Sequence, residues 1–253
     1  MIWLGGAQGA GKSTIAWLLS RRLDLPLHPV DMWSYDHEGR LPDASTPLDE
    51  ELARGPEYAA SAFVATSHAR LPLVIADVRA RATEPVPVLV EGPQLMPSMA
   101  CSLPIGSAVF LVPTPERTRA ARASRPDADP TRLERLVARD ALIAELVRAE
   151  ASAAGRPVVE VPENPDWSAT YDAVYSALEP GITGALAARH ELARQRAFEN
   201  DVAARQGRLW AEATQRAVIP GSTTAPYRWA CECGASGCTD RSPLGALPPR
   251  PPR

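Results

Sequence analysis

An apolar stretch, Met1-Ile2-Trp3-Leu4, runs straight into Gly6-Ala7-Gln8-Gly9-Ala10-Gly11-Lys12-Ser13, and an apolar helix start, Ser13-Thr14-Ile15-Ala16-Trp17-Leu18-Leu19, follows. The spacing fits G-x-x-x-x-G-K-[ST], a loop that turns successive backbone N–H groups toward a phosphate. Each position has a physical reason. The glycines adopt left-handed or close-approach backbone. The ammonium of Lys12 is a compact point charge that reaches between β- and γ-phosphates, and the Ser13 hydroxyl can ligate Mg²⁺. Lys12 is the only lysine in the 253 residues; the other 26 cationic side chains are arginine. A planar guanidinium does not substitute for an ammonium inside such a loop. Gly6, Ala7, Gln8, Gly9, Ala10, Gly11, Lys12, Ser13 and Thr14 are therefore the expected nucleotide-phosphate site. Its lysine is expected to stand exposed in the empty protein.

A β/α alternation continues from there. Leu25 to Asp31 reads as a second short strand ending in an acid, followed by a turn-rich polar stretch from Trp33 to Ser45. Helices are expected over Leu48 to Arg54 and from Glu57 through Ala82, with a break at Pro72. Val86 to Gly92 and Ala108 to Val112 are apolar runs of buried-strand type. A basic helix from Glu116 to Ala123, a turn, and a long amphipathic helix from Thr131 to Ala154 come next. The apolar positions of that helix are Leu133, Leu136, Val137, Leu142, Ile143, Leu146 and Val147. Arg156 to Val161 supplies a fifth strand, and Trp167 to Leu178 a covering helix. Five short strands with helical crossovers imply a parallel α/β sheet covered on both faces, with the site at the strands' carboxyl ends.

The composition changes at Pro180-Gly181, which divides the chain into a nucleotide-binding unit, 1–180, and a C-terminal part, 181–253. The latter begins with a polar helix over Thr183 to Arg216, docked along one edge or extending away. It ends in a polyproline-like tail, Leu247 to Arg253. A chain cut near Pro180 is expected to keep its fold and nucleotide binding. A formal net charge of −3 and a pI near 5.9 give no broad attraction to nucleic acid or an anionic membrane. No apolar run of bilayer length and no signal peptide are evident, so the protein is expected to be cytoplasmic.

The class of phosphate loop can be narrowed. A Ras-type GTPase needs an N-K-x-D motif to read guanine, and no second lysine exists to supply it. Motor ATPases usually close the partner strand with two acids, whereas Val88-Leu89-Val90-Glu91-Gly92 ends in one. Kinases remain.

The order of loop, Asp31, Glu91-Gly92-Pro93, and Phe110 to Glu116 leading into an arginine-rich segment resembles the small P-loop kinases and phosphotransferases. These include nucleoside-monophosphate-kinase-like enzymes, gluconate kinases and chloramphenicol phosphotransferase. The resemblance spans Met1 to about Leu178. It implies strand order 2-3-1-4-5, a helical lid between the fourth and fifth strands, and ATP with Mg²⁺ acting on a hydroxyl of a small molecule. It lacks a D-G-x-x-R-type motif after the third strand, the part that would read a nucleoside monophosphate.

Catalytic roles follow from this. Lys12 and the loop amides neutralise phosphate charge, while Ser13 and a strand-end carboxylate hold hydrated Mg²⁺. Asp31 stands where related kinases place the acid that accepts or orients the acceptor's hydroxyl; otherwise it is a helix cap or a solvent-facing turn acid. Glu91 is the alternative base or a water-mediated metal partner. Arg122 and Arg125, three apart, form a clamp on the phosphates, and Arg117 belongs to a solvated face. His28 and His37 flank Asp31, either lining the acceptor pocket or serving structure. Cys231, Cys233 and Cys238, spaced C-x-C-x₄-C among glycines, suit a structural Zn²⁺ knuckle, a reduced-thiol turn or a redox sensor. The helix and this cysteine element resemble a C-terminal module of bacterial proteins of unassigned role. That leaves a second functional reading: a nucleotide-dependent switch acting on a protein partner through the C-terminal module.

Overall fold

The computed structural model describes all residues except 24, 43–45, 82–86, 104–106, 126–127, 183–191, 216–227, 231–240 and 244–253. Five parallel strands, β1 (Ile2–Gly6), β2 (Leu27–Pro29), β3 (Leu89–Glu91), β4 (Ala108–Pro113) and β5 (Val158–Val161), form one sheet in the order β2-β3-β1-β4-β5. The order matches the expectation. Residues that alternate along each strand point to opposite faces, and the two faces carry two separate cores. Trp3, Val90, Phe110 and Val112 pack against α4 (Pro56–Arg81) and α6 (Pro130–Ala153). Ile2, Leu4, Leu89, Val109 and Leu111 pack against α1 (Lys12–Leu23) and α7 (Trp167–Ile182).

Several boundaries depart from the sequence reading. Pairing of β2 with β3 stops at Pro29, opposite Glu91. The chain then enters a 3-10 turn, Val30–Trp33, so Asp31 lies beyond the strand rather than at its end. The polar stretch after it contains a helix, α2 (Ser34–Arg40), followed by α3 (Leu48–Ala53). Pro72 does not break α4, which runs through it. A mid-helix proline forfeits one backbone bond, and Val74 and Val78 just beyond it are fully packed in the core. Within α6, Ile143 and Val147 are buried, but Leu142 is exposed. Likewise Pro180 lies inside α7, because Leu178 and Ile182 on either side of it are both buried on the α1 face.

By length and composition alone, one described helix, over Pro56–Ala80, is long and apolar enough to cross a membrane. In this fold the same helix packs on α3 and α6.

Helix α5 (Pro115–Ala123) starts at Thr114, whose hydroxyl accepts from the Arg117 N–H at 3.2 Å. Asp129 caps α6 by accepting from the Thr131 N–H at 2.8 Å, with Pro130 in the first turn. Both ends therefore carry the cap and proline that a helix start favours.

The described part of the C-terminal segment is α8 (Leu192–Gln215) and a small antiparallel pair, β6 (Arg228–Ala230) and β7 (Arg241–Pro243). Helix α8 is docked. Glu199 meets Arg21 of α1 at 3.0 Å, both side chains being less than a tenth exposed. Phe198 stacks on Trp33, and Trp210 meets Tyr35 edge-on. Asn200 in turn holds β6: its amide donates to the Ala230 carbonyl at 2.9 Å and accepts from the Ala230 N–H at 2.7 Å.

Candidate active site at the carboxyl ends of the strands

The turn from β1 into α1 is a cradle that side chains would fill. Gly6, Gly9 and Gly11 have φ of 120°, 84° and 77°, values at which a Cβ is strained. A Cβ on Gly6 would lie 2.0 Å from the Leu111 carbonyl oxygen, and one on Gly11 would lie 2.2 Å from the Trp167 ring. Ala7 and Ala10 are fully buried, and the Gln8 side chain is buried with its Oε1 lacking a hydrogen-bond partner among the described residues. Ser13 and Thr14 are exposed at the start of α1.

Lys12 is not exposed, contrary to the sequence expectation. Its relative exposure is 6%, and its ammonium donates to the Ala7 carbonyl oxygen at 2.7 Å, folded back into the loop. Burial holds its pKa below the usual lysine value, opposed by the negative charges of Glu91 and Asp31. Among the described residues it forms no ion pair. It is a buried cation stabilised only by a carbonyl dipole and by acids at longer range, an arrangement that favours an incoming polyanion.

Glu91, at the end of β3, is buried, and its Oε1 accepts from the Ser13 hydroxyl at 3.2 Å. Burial first, and the nearby charge of Asp31 second, push its pKa up to about 7, while Lys12 and the Ser13 bond pull it down. Asp31 is exposed, and its Oδ1 accepts from Gln94 Nε2 at 2.6 Å. The amide must present its NH₂ here, since a carboxylate only accepts. The cap of the 3-10 turn is Pro29 and involves no side chain, which removes the helix-cap account of Asp31. The two acids thus divide: Glu91 faces the loop serine and Asp31 faces solvent.

The arginine segment behaves differently from the expected clamp. Arg122 is tied by Nε to Asp140 Oδ2 at 2.7 Å, and Asp140, itself fully buried, also receives Arg139 at 2.7 Å. Arg122 is therefore a fixed wall element and not a mobile finger. Arg125 lies within electrostatic range of Lys12. Arg117 is not a solvated residue: its Nε donates to the Gly9 carbonyl at 3.2 Å, and its guanidinium sits 5.3 Å from the Trp167 ring centroid. His28 and His37 are both fully buried, contrary to a pocket-lining role. His28 stacks on Trp33 at 5.2 Å. His37 Nε2 faces Asp77 at 2.9 Å, and its Nδ1 faces Arg70 at 3.3 Å.

Two residues of the site carried no sequence signal: Gln94 and Trp167. Gln94 follows Glu91 by three residues, and the Gly92 turn folds it back. A Cβ on Gly92 would come within 2.8 Å of both Gln94 Oε1 and Val30. Cys231, Cys233 and Cys238 lie outside the described residues. The one described cysteine, Cys101, is exposed, with its thiol donating to the Ser98 carbonyl.

Fold and site together define a class: an α/β protein with a parallel sheet of order 2-3-1-4-5 and a glycine-rich turn between its central strand and first helix. Within that class no family model matches the chain, and no curated protein matches it.

Proposed function

We propose that the protein is an ATP-dependent phosphotransferase that moves the γ-phosphate to a hydroxyl group of a small molecule. The observation that carries this is the convergence of three groups at the carboxyl ends of β1, β2 and β3. They are Lys12 folded into the glycine loop, the Ser13–Glu91 pair, and Asp31 held by Gln94. Loop amides and Lys12 neutralise the phosphates. Ser13 and Glu91 are hard oxygen donors that fit one side of Mg²⁺. Among the described residues no group of three or more His, Cys, Asp or Glu gathers to hold a metal, so water and phosphate oxygens would complete its shell. The ion, when bound, supplies charge neutralisation on the phosphate oxygens.

Asp31, exposed and oriented by Gln94, accepts the proton of the acceptor hydroxyl. That oxygen bonds to the γ-phosphorus while the bond from phosphorus to the β–γ bridging oxygen breaks, and ADP leaves with the electron pair. Glu91, engaged with Ser13, serves the metal side. The second reading, a nucleotide-dependent switch, is supported by the buried Glu199–Arg21 contact, which joins α8 to the helix that follows the loop.

One experiment separates the two. A panel of metabolites and antibiotics is screened for acceptor-dependent ADP release, with mass spectrometry identifying the phosphorylated species. Absence of Mg·ADP or Mg·ATP binding to the folded chain refutes both readings. Binding accompanied only by slow, acceptor-independent hydrolysis favours the switch.

A further inference from the structure

Arg70 of α4 is buried, and its described hydrogen bonds all go to groups other than carboxylates. Its Nε donates to His37 Nδ1 at 3.4 Å. Its Nη2 donates to the Val30 carbonyl at 3.4 Å and to the Ser34 hydroxyl at 3.1 Å. A guanidinium only donates, so His37 Nδ1 must accept, and His37 Nε2 carries the proton that faces Asp77 at 2.9 Å. The imidazole therefore stands between Arg70 and the nearest carboxylate along this chain of contacts. A buried cation of this kind needs compensation. Burial holds its pKa below the usual arginine value, and the negative charges of Asp31 and then Glu38 oppose that.

The two Nη2 acceptors are informative by their position. Val30 opens the 3-10 turn Val30–Trp33, and Ser34 follows its last residue. One guanidinium thus grips both ends of the four-residue turn that carries Asp31. The turn is weak by itself, because 3-10 hydrogen bonds have poor geometry and no side chain caps its start. Its closing bond runs from the Ser34 N–H to the Asp31 carbonyl. The gripping element is rigid, since Val74 and Val78 fix α4 in the core just beyond Arg70. Charge points the same way. Asp31 is attracted by Lys12 and repelled by Glu91. Once Lys12 serves the phosphates, Arg70 remains in place as a cation acting on Asp31.

Resting on the phosphotransferase reading, we propose that Arg70 is a positioning residue for phosphoryl transfer, acting through Asp31. It holds the turn so that the Asp31 carboxylate, steadied on its other side by Gln94, meets the acceptor hydroxyl and takes its proton.

The test uses the full chain and two readouts. Hydrogen exchange of the Ser34 amide, followed by NMR, should quicken at least about 10-fold in Arg70→Met, while amides of β1, β3 and β4 keep their protection. With an acceptor from the ADP-release screen, Arg70→Met should lower kcat roughly 10- to 100-fold, the scale of a misplacement of about 1 Å. Mg·ADP affinity and acceptor KM should change by less than about 2-fold, since Arg70 contacts neither molecule. Ser34→Ala, which removes one hydrogen bond and is mild enough to leave the fold intact, should move kcat the same way by a smaller factor. Arg70→Lys should fall between wild type and Arg70→Met, because an ammonium keeps the charge and loses the fork. In an Asp31→Asn background Arg70→Met should add less than about 2-fold, as expected of two residues acting as a unit. A merely structural arginine would lower stability and leave kcat per folded molecule unchanged; that result overturns the proposal, as does a full additional loss in the Asp31→Asn background. A Ser34 exchange rate that ignores Arg70→Met overturns the grip on the turn whatever the activity. Absence of both Mg·ADP binding and turnover in the wild type brings down the phosphotransferase reading, and the kinetic role of Arg70 with it.

Discussion

Replacing Glu199 with leucine tests whether α8 is an integral wall of the α/β unit. Arg21 and Glu199 are 3% and 8% exposed at their side chains, with contacts of 3.0 and 3.5 Å. Gln195 also donates to Glu199 at 2.9 Å. Glu199→Leu removes these three hydrogen bonds and leaves the Arg21 guanidinium buried beside the Trp17 ring, 5.5 Å away. Breaking one side of a buried pair costs about 3–5 kcal/mol. For a chain of this length each kcal/mol moves Tm by about 2–4 °C, so Tm should fall by roughly 6–20 °C. The double variant Arg21→Met/Glu199→Leu should recover most of the loss, since an apolar pair of similar volume is often neutral or better. Thermal unfolding followed by circular dichroism, with urea titration as a second probe, measures both. A single-variant cost below about 1 kcal/mol would refute the seated helix. Because α8 also places Phe198 against Trp33, two residues after Asp31, loosening it should raise the acceptor KM before the sheet melts. A cut near Pro180 removes these contacts, so the shortened chain should lose stability even where its loop still takes nucleotide.

Asp31→Asn should keep Mg·ADP affinity and lower turnover by a factor on the order of 10² to 10⁴, as for a lost general base; equal loss of both would move Asp31 to the metal. Gly11→Ala should abolish nucleotide binding, because φ of 77° and the Trp167 ring at 2.2 Å leave no room for a methyl group; calorimetry with Mg·ADP checks it, and near-normal affinity would contradict the loop geometry. His37 is held below its usual pKa, by burial first, despite Asp77. The unfolded chain therefore binds the extra proton, and stability should be complete above about pH 6.5 and fall on acidification. His37→Gln should flatten that slope in urea titrations between about pH 5 and 7, and an unchanged slope would place the acid sensitivity elsewhere.

The strands and the loop were legible because their signals are local, whereas the order 2-3-1-4-5 came from the resemblance to the small P-loop kinases. Leu89-Val90-Glu91 and Ala108-Val109-Phe110-Leu111-Val112 are apolar runs long enough only for buried strands. The loop glycines occupy positive φ that their spacing already implied. The division of labour between Asp31 and Glu91 was not local. Both read as acids near strand ends, and only the Ser13 and Gln94 contacts, 78 and 63 residues away in the chain, separate them. Arg122 and Arg125 look alike on a helical wheel, yet Asp140 on the next helix captures Arg122. Lys12 is buried rather than solvated because the loop's own Ala7 carbonyl accepts from it. Periodicity and glycine placement record what each segment must bury or bend. They carry no record of which distant side chain will share a carboxylate, and that was decided when the helices packed onto the sheet.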